Sequence, residues 1–213
     1  MKDLTIIIRN RNESQYIGFA IQSVIDFFPN SKIIVIDNDS KDDSLKVVSL
    51  FQNIIPIEVL NINKYSPGLC LNYAIKSVKT KYLLILSAHA QITKMNFDNV
   101  KTLLEENVAV FGNQVPIYKG KKITKRYIWS HFVEKNVKNM HSEIENRYFL
   151  HNAFCFYLTK FIKNFPFDEK LPGKEDRYWA IDIVKKGYSF MYCSSIEVNH
   201  FYTENGATWQ GVG

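Results

Sequence analysis

Short, mostly apolar runs alternate with segments whose apolar residues recur every three or four positions. Leu4–Arg9, Ile33–Asp37, Ile57–Leu60 and Tyr82–Leu86 read as strands. Ile17, Ile21, Val24, Ile25 and Phe28 between the first two mark an amphipathic helix. Asp42, Asp43 and Ser44 suit the start of a second helix. Pro67-Gly68 precedes a third, which carries Leu71, Ala74, Ile75 and Val78. Strands without polar alternation, joined by amphipathic helices, predict an α/β fold with a mostly parallel central sheet covered on both faces. The later pattern is less regular. It predicts strands over Val108–Gly112 and Phe154–Leu158, a helix over Ser130–Met140 and another over Asp176–Lys186. Gly187 ends that helix, and two further strands follow, Tyr188–Cys193 and Ile196–His200.

In parallel sheets a ligand binds beyond the carboxyl ends of the strands. The polar residues of the first half collect there, as Arg9–Glu13, Asp37–Ser40 and Ser87–His89, which predicts one cleft lined by all three clusters. No G-x-G-x-x-G and no P-loop follows a strand, which removes the main support for a dinucleotide oxidoreductase or a P-loop NTPase. Acids and amides at strand ends suit a nucleotide held by its base and ribose. Ordinary strand-end capping is the competing reading.

The 213 residues, 46% of them hydrophobic, fill a single domain with a sizeable core. Residues 1–90, which carry the strand-end clusters, form the expected nucleotide-binding half of it and residues 91–213 the other half. Cys70, Cys155 and Cys193 are far apart and lie among apolar residues, so buried reduced thiols are expected. With no signal-peptide pattern and no apolar run of membrane-spanning length, the expected location is cytoplasmic. The net charge of +6 admits anionic partners. Its densest stretch is Lys119, Lys121, Lys122, Lys125 and Arg126, beside Tyr118, Tyr127 and Trp129. This is either a solvated loop or a surface for an acidic or lipid-linked acceptor, with peripheral contact at the inner face of the membrane. No nucleic-acid motif accompanies the charge, and a nucleic-acid partner is not expected.

Five segments in order resemble the family 2 glycosyltransferases of GT-A fold, and their rhamnosyltransferase-like members in particular. They are Thr5–Glu13, Ile36–Ser40, Pro67–Ile75 with its Gly-x-x-x-Asn start, Leu171–Ala180 with Glu175-Asp176, and the late His200. The resemblance implies an inverting transferase that moves a sugar from a nucleotide diphosphate to a hydroxyl of a glycan or glycolipid, in bacterial surface polysaccharide synthesis. Carried over by position, Arg9, Asn12, Glu13, Asp37, Asp39, Gly68, Asn72, Ser87 and His89 would surround the nucleotide sugar. Asp176 would take the acceptor's proton with Glu175 beside it, and Arg177 and Trp179 would meet the acceptor. An attacking alcohol must lose its proton as the bond forms, and a positioned carboxylate accepts it. The same two acids also suit a plain helix start.

One departure stands out. Where most of these relatives carry Asp-x-Asp, this chain has Ser87-Ala88-His89. Serine is a poor cation ligand, whereas imidazole is a good one, as in the polypeptide N-acetylgalactosaminyltransferases, which this position resembles. Either His89 and His200 hold a divalent cation such as Mn²⁺ or Mg²⁺, or cationic side chains (Arg9, Arg11, Lys64, Arg177) serve the diphosphate instead. The lost aspartate also motivates an alternative, a non-catalytic relative that binds nucleotide or glycan as a partner subunit. A sugar nucleotidyltransferase is disfavoured by the absence of glycine from Arg9–Glu13. His131, His141 and His151 lack partner spacing and are expected in loops or at the surface.

Overall fold

The computed structural model describes residues 3–123, 132–143 and 146–204. Its first half runs β1 (Leu4–Asn10), α1 (Ile17–Phe27), β2 (Lys32–Asp37), α2 (Ser44–Phe51), β3 (Ile57–Asn61), α3 (Pro67–Ser77) and β4 (Tyr82–Ser87). These four strands are parallel, in the order β3-β2-β1-β4, as the apolar runs predict. Side chains alternate across the sheet. Ile7, Ile34 and Ile85 face α3, while Ile6, Ile8, Val35 and Leu84 face α1 and α2. Ile7 is fully buried between two paired strands, so Ile7→Ala would cost roughly 2–5 kcal/mol.

The second half continues the same sheet. It comprises β5 (Ala90–Lys94), α4 (Phe97–Glu106), β6 (Ala109–Tyr118), β7 (Lys121–Lys122), β8 (Val137–Lys138), β9 (His141–Ser142) and β10 (Arg147–Tyr148). After these come β11 (Phe154–Leu158), α5 (Thr159–Asn164), α6 (Glu175–Lys185) and β12 (Phe190–Phe201). The full order is β3-β2-β1-β4-β11-β6-β12-β5. Strand β11 enters antiparallel between β4 and β6, and β5 pairs antiparallel with β12, so only part of this half follows the parallel pattern. Lys119 and Gly120 both have positive φ and close the two-residue turn from β6 to β7, which leaves Lys119, Lys121 and Lys122 exposed at a hairpin tip. Lys125, Arg126, Tyr127 and Trp129 lie outside the described residues, as does His131.

Two expectations are corrected. Residues 132–140 form no helix; β8 instead pairs antiparallel with β12. Here Asn139 Oδ1 accepts from Phe190 N and Asn136 Oδ1 from Ser194 N, so side chains that compete for backbone partners hold the segment extended. The two final strands are one, interrupted by a register shift between Cys193 and Glu197 where Ser194 and Ser195 break the apolar run. Helix α4 was not anticipated. Asn96 caps it through Asn99 N at 3.0 Å, and Phe97, Val100 and Leu104 form its buried stripe. All three cysteines are buried and unpaired. Among the described residues no helix is long and apolar enough to cross a membrane.

Candidate functional site

Above the carboxyl ends of β1 and β4 opens a cavity of about 710 Å³. Arg9–Glu13, Ser87, His89, His200 and Lys174–Arg177 line it, together with residues the motifs did not single out, among them Tyr65, Gln114, Arg147, His151 and Asn152. The first and third strand-end clusters therefore share its wall. The second lies behind it. Asp37 is buried and accepts from Asn10 Nδ2 at 2.7 Å and from Ser40 Oγ at 2.6 Å, and Ser40 Oγ accepts from Asn12 N. Asn12 and Asp39 have φ near 50°, a strained backbone that these bonds hold in place. The Asp39 carboxylate points to solvent and pairs with Lys41.

Gly68 and Asn72 likewise stand behind the cavity. A Cβ on Gly68 would fall 2.4 Å from the Asp168 carbonyl oxygen, so only glycine lets α3 meet this segment. Asn72 donates to Phe167 O at 2.8 Å and accepts from Phe167 N at 3.1 Å. Together they clamp the chain that leads into residues 172–177. Trp179, expected at the acceptor, is in the core: its indole N–H donates to Phe165 O and its ring packs edge-on to Tyr157. The periodicity that placed Trp179 on the apolar face of α6 is what buries it.

Glu13, His89 and His200 gather at one side. Glu13 Oε1 accepts from Thr203 Oγ1 and lies 3.2 Å from His89 Nδ1; the rings of His89 and His200 are 4.9 Å apart. Burial and the neighbouring His89 and His151 push the His200 imidazole well below its usual range, so it is neutral. Among the described residues no group of three His, Cys, Asp or Glu side chains converges to hold a metal ion. His89 meets Glu13 through one nitrogen, and Ser87 offers no carboxylate beside them. His151, expected in a loop or at the surface, lies in the loop before β11 and is also in the wall. Its Nε2 meets Gly112 O at 3.0 Å, and burial lowers its pKa to about 4.

The floor is the first turn of α6. Lys174 enters it in the left-handed conformation, with φ of 62°. Glu175 is buried, and its Oε1 accepts from Arg9 Nη1 at 3.1 Å and Asn152 Nδ2 at 3.2 Å. Asp176 accepts from Asn152 N at 3.1 Å and Arg177 N at 2.8 Å. Burial, and then the charge of Glu175, raise the Asp176 pKa to about 6. Its carboxylate is thus ionised near neutrality yet holds a proton more readily than an ordinary aspartate, as a general base needs. Arg9, Arg11, Arg147, Lys174 and Arg177 line the cavity against the carboxylates of Glu13, Glu175 and Asp176, so the described lining is cationic in balance. Asn152 was not legible beforehand; its only signal is a polar His151-Asn152 pair just ahead of an apolar strand.

Residues 5–168 match the family described as Glycosyl transferase family 2. The O-antigen chain rhamnosyltransferase WbaN of Salmonella anatum is 24% identical over 179 residues, covering 80% of this chain and 56% of that protein. RfbN of Salmonella typhimurium, a protein of the same description, is 25% identical over 182 residues, covering 79% of this chain and 56% of its own length. The chain thus spans little more than half of either relative. Among solved structures, TarS of Staphylococcus aureus in complex with UDP-GlcNAc superposes on all of this chain and 62% of its own, with TM-score 0.74 and 20% identity. A mannosyltransferase from Pyrobaculum calidifontis in complex with GDP-Man and Mn²⁺ superposes on 96% of this chain and 58% of its own, with TM-score 0.67 and 14% identity. These likenesses establish the fold as the one the sequence resembles.

Proposed function

The chain belongs to glycosyl transferase family 2, and from that premise we propose that it transfers a sugar from a nucleotide diphosphate to a hydroxyl of a glycan or glycolipid, with inversion. The observation that carries this reading is the Asp176 carboxylate on the cavity floor, its proton affinity raised by burial and by Glu175. As the acceptor oxygen bonds to the anomeric carbon, its proton passes to Asp176. The bond from that carbon to the phosphate oxygen breaks, and its electron pair leaves with the nucleoside diphosphate. Attack from the side opposite the leaving group inverts the centre. Arg9, Asn12, Glu13, Ser87 and His89 serve the donor in this reading, and Arg177 the acceptor.

We assign the departing negative charge to the cationic lining, with Arg11 and Lys174 as the chief contributors, because Ser87 stands where most relatives carry the first cation-binding aspartate. A deoxyhexose donor follows the likeness to the rhamnosyltransferases and a hexose donor the likeness to TarS, whose structure holds UDP-GlcNAc. The setting proposed is bacterial surface polysaccharide synthesis on the cytoplasmic side, with the basic β6–β7 hairpin against an anionic membrane.

The test is release of nucleoside diphosphate from a panel of nucleotide sugars with wild type and Asp176→Asn. Turnover that disappears in the variant supports the reading. Ser87, in the place of an aspartate, favours a second reading, a nucleotide- or glycan-binding subunit; tight nucleotide binding with no turnover would establish it.

A further inference from the structure

We infer that Asn152 and Tyr157 form a positioning pair that holds both carboxylates of α6 in their working orientation, a role that rests on the reading of Asp176 as the base. Tyr157 is fully buried, and its hydroxyl donates to Asn152 Oδ1 at 2.7 Å. That bond decides which way the amide faces: with its oxygen toward the phenol, its NH₂ must point to Glu175 Oε1, 3.2 Å away. Arg9 Nη1 reaches the same oxygen, so Glu175 is fixed by two donors from two directions. The main-chain N–H of Asn152 meanwhile bonds Asp176 Oδ2 at 3.1 Å. One residue therefore grips both acids, Glu175 through its side chain and Asp176 through its backbone.

The phenol cannot swing away. Its ring is packed edge-on to Phe167 and Trp179, with centroids 5.9 and 5.2 Å distant. A phenylalanine would fill this place as well. The hydroxyl therefore adds nothing to apolar packing; beside a contact with the Cys155 thiol, it bonds the residue that reaches both carboxylates. Small errors in the direction of a base are costly in rate, because the proton must pass along a short, aligned path. The groups that interact with the two acids are Arg9 from β1, Cys70 from α3, Cys155 and Tyr157 from β11, and Arg177 from α6. Tyr157→Phe leaves every charge among them in place.

The experiment compares wild type, Tyr157→Phe, Asn152→Ala and the double variant. Expected is a fall in kcat of about tenfold in each single variant, with the donor KM unchanged within about twofold, and a double variant no slower than Asn152→Ala alone. Equal or additive losses in kcat and KM would indicate general damage to the cavity and overturn the pairing, as would unchanged kcat in Tyr157→Phe. A second measurement needs no substrate: the ¹³C titration of the Asp176 carboxyl, whose midpoint should move upward by about half a pH unit in Tyr157→Phe as its backbone donor loosens. An unmoved midpoint overturns the inference. If wild type shows no transfer to any acceptor, the proposed function falls while the titration still decides the positioning. Should Tyr157→Phe fail to fold, Asn152→Ala carries both readouts.

Discussion

Arg9 Nη1 lies 3.1 Å from Glu175 Oε1, joining the end of the central strand to the first turn of a helix 166 positions later. The Glu175 side chain is 5% exposed and that of Arg9 29%, so the acid depends on this cation far more than the cation depends on it. Arg9→Met is therefore expected to destabilise the protein by about 2–4 kcal/mol, read as a lower midpoint in urea. Arg9→Met combined with Glu175→Leu should recover much of that loss, because no uncompensated buried charge remains.

Asp176 sets the pH dependence. Its pKa is raised to about 6, so kcat/KM should climb as pH rises through that value and level off above it. The stability it contributes has the opposite sign. An acid whose pKa is raised by folding favours the folded state fully below its unfolded pKa, and that contribution is lost as pH rises through about 6. Asp176→Asn should lower kcat by about 10²–10⁴-fold. It should also raise the melting temperature at pH 8 more than at pH 5.

Nucleotide binding is expected to persist in a chelator. Calorimetric titration of UDP and dTDP, with and without Mn²⁺, into wild type and His89→Ala checks this. Affinity within about threefold in all metal conditions fits recognition by the cationic lining. Binding that requires Mn²⁺ and is lost in His89→Ala would instead make His89 a metal ligand.

Gly68→Ala tests the clamp behind the cavity. The added methyl would meet the Asp168 carbonyl at 2.4 Å, and neither backbone can yield without shifting α3. A loss of roughly 1–3 kcal/mol is expected by denaturant melting.

The basic hairpin has its own test. Lys119, Lys121 and Lys122 replaced by Glu should abolish sedimentation with phosphatidylserine-containing vesicles in moderate salt while leaving nucleotide affinity intact.

The parallel half was legible because β1, β2 and β4 are buried on both faces and its helices on one, so each carries its own period. The antiparallel insertion of β11 was not, since the partner of an apolar run is decided by connections elsewhere in the chain. Ser194 and Ser195 divided one strand into two on paper, whereas in the sheet they occupy a register shift. Motif residues from Arg9–Glu13, Ser87–His89 and Glu175–Arg177, with His200, do meet in the cavity. Gly68, Asn72, Asp37 and Trp179 instead hold up its walls, a distinction no spacing reveals because a residue that supports a site and one that faces it occupy neighbouring positions. Asn152 carries little signal in the sequence because its importance lies partly in its backbone N–H, which every residue but proline possesses.

The place of β11 also bears on how the protein is made. Strands β1 to β4 are contiguous in both chain and sheet, yet until its next partner is made β4 presents an open row of backbone donors and acceptors. Its partner β11 begins only at Phe154, so residues 88–153 must be synthesised before that edge is covered. The nascent chain is most prone to pair with a neighbouring copy in this interval. The same late strand that seals this edge carries Asn152 just ahead of it, so one pairing covers β4 and sets the wall that the two carboxylates of α6 later meet.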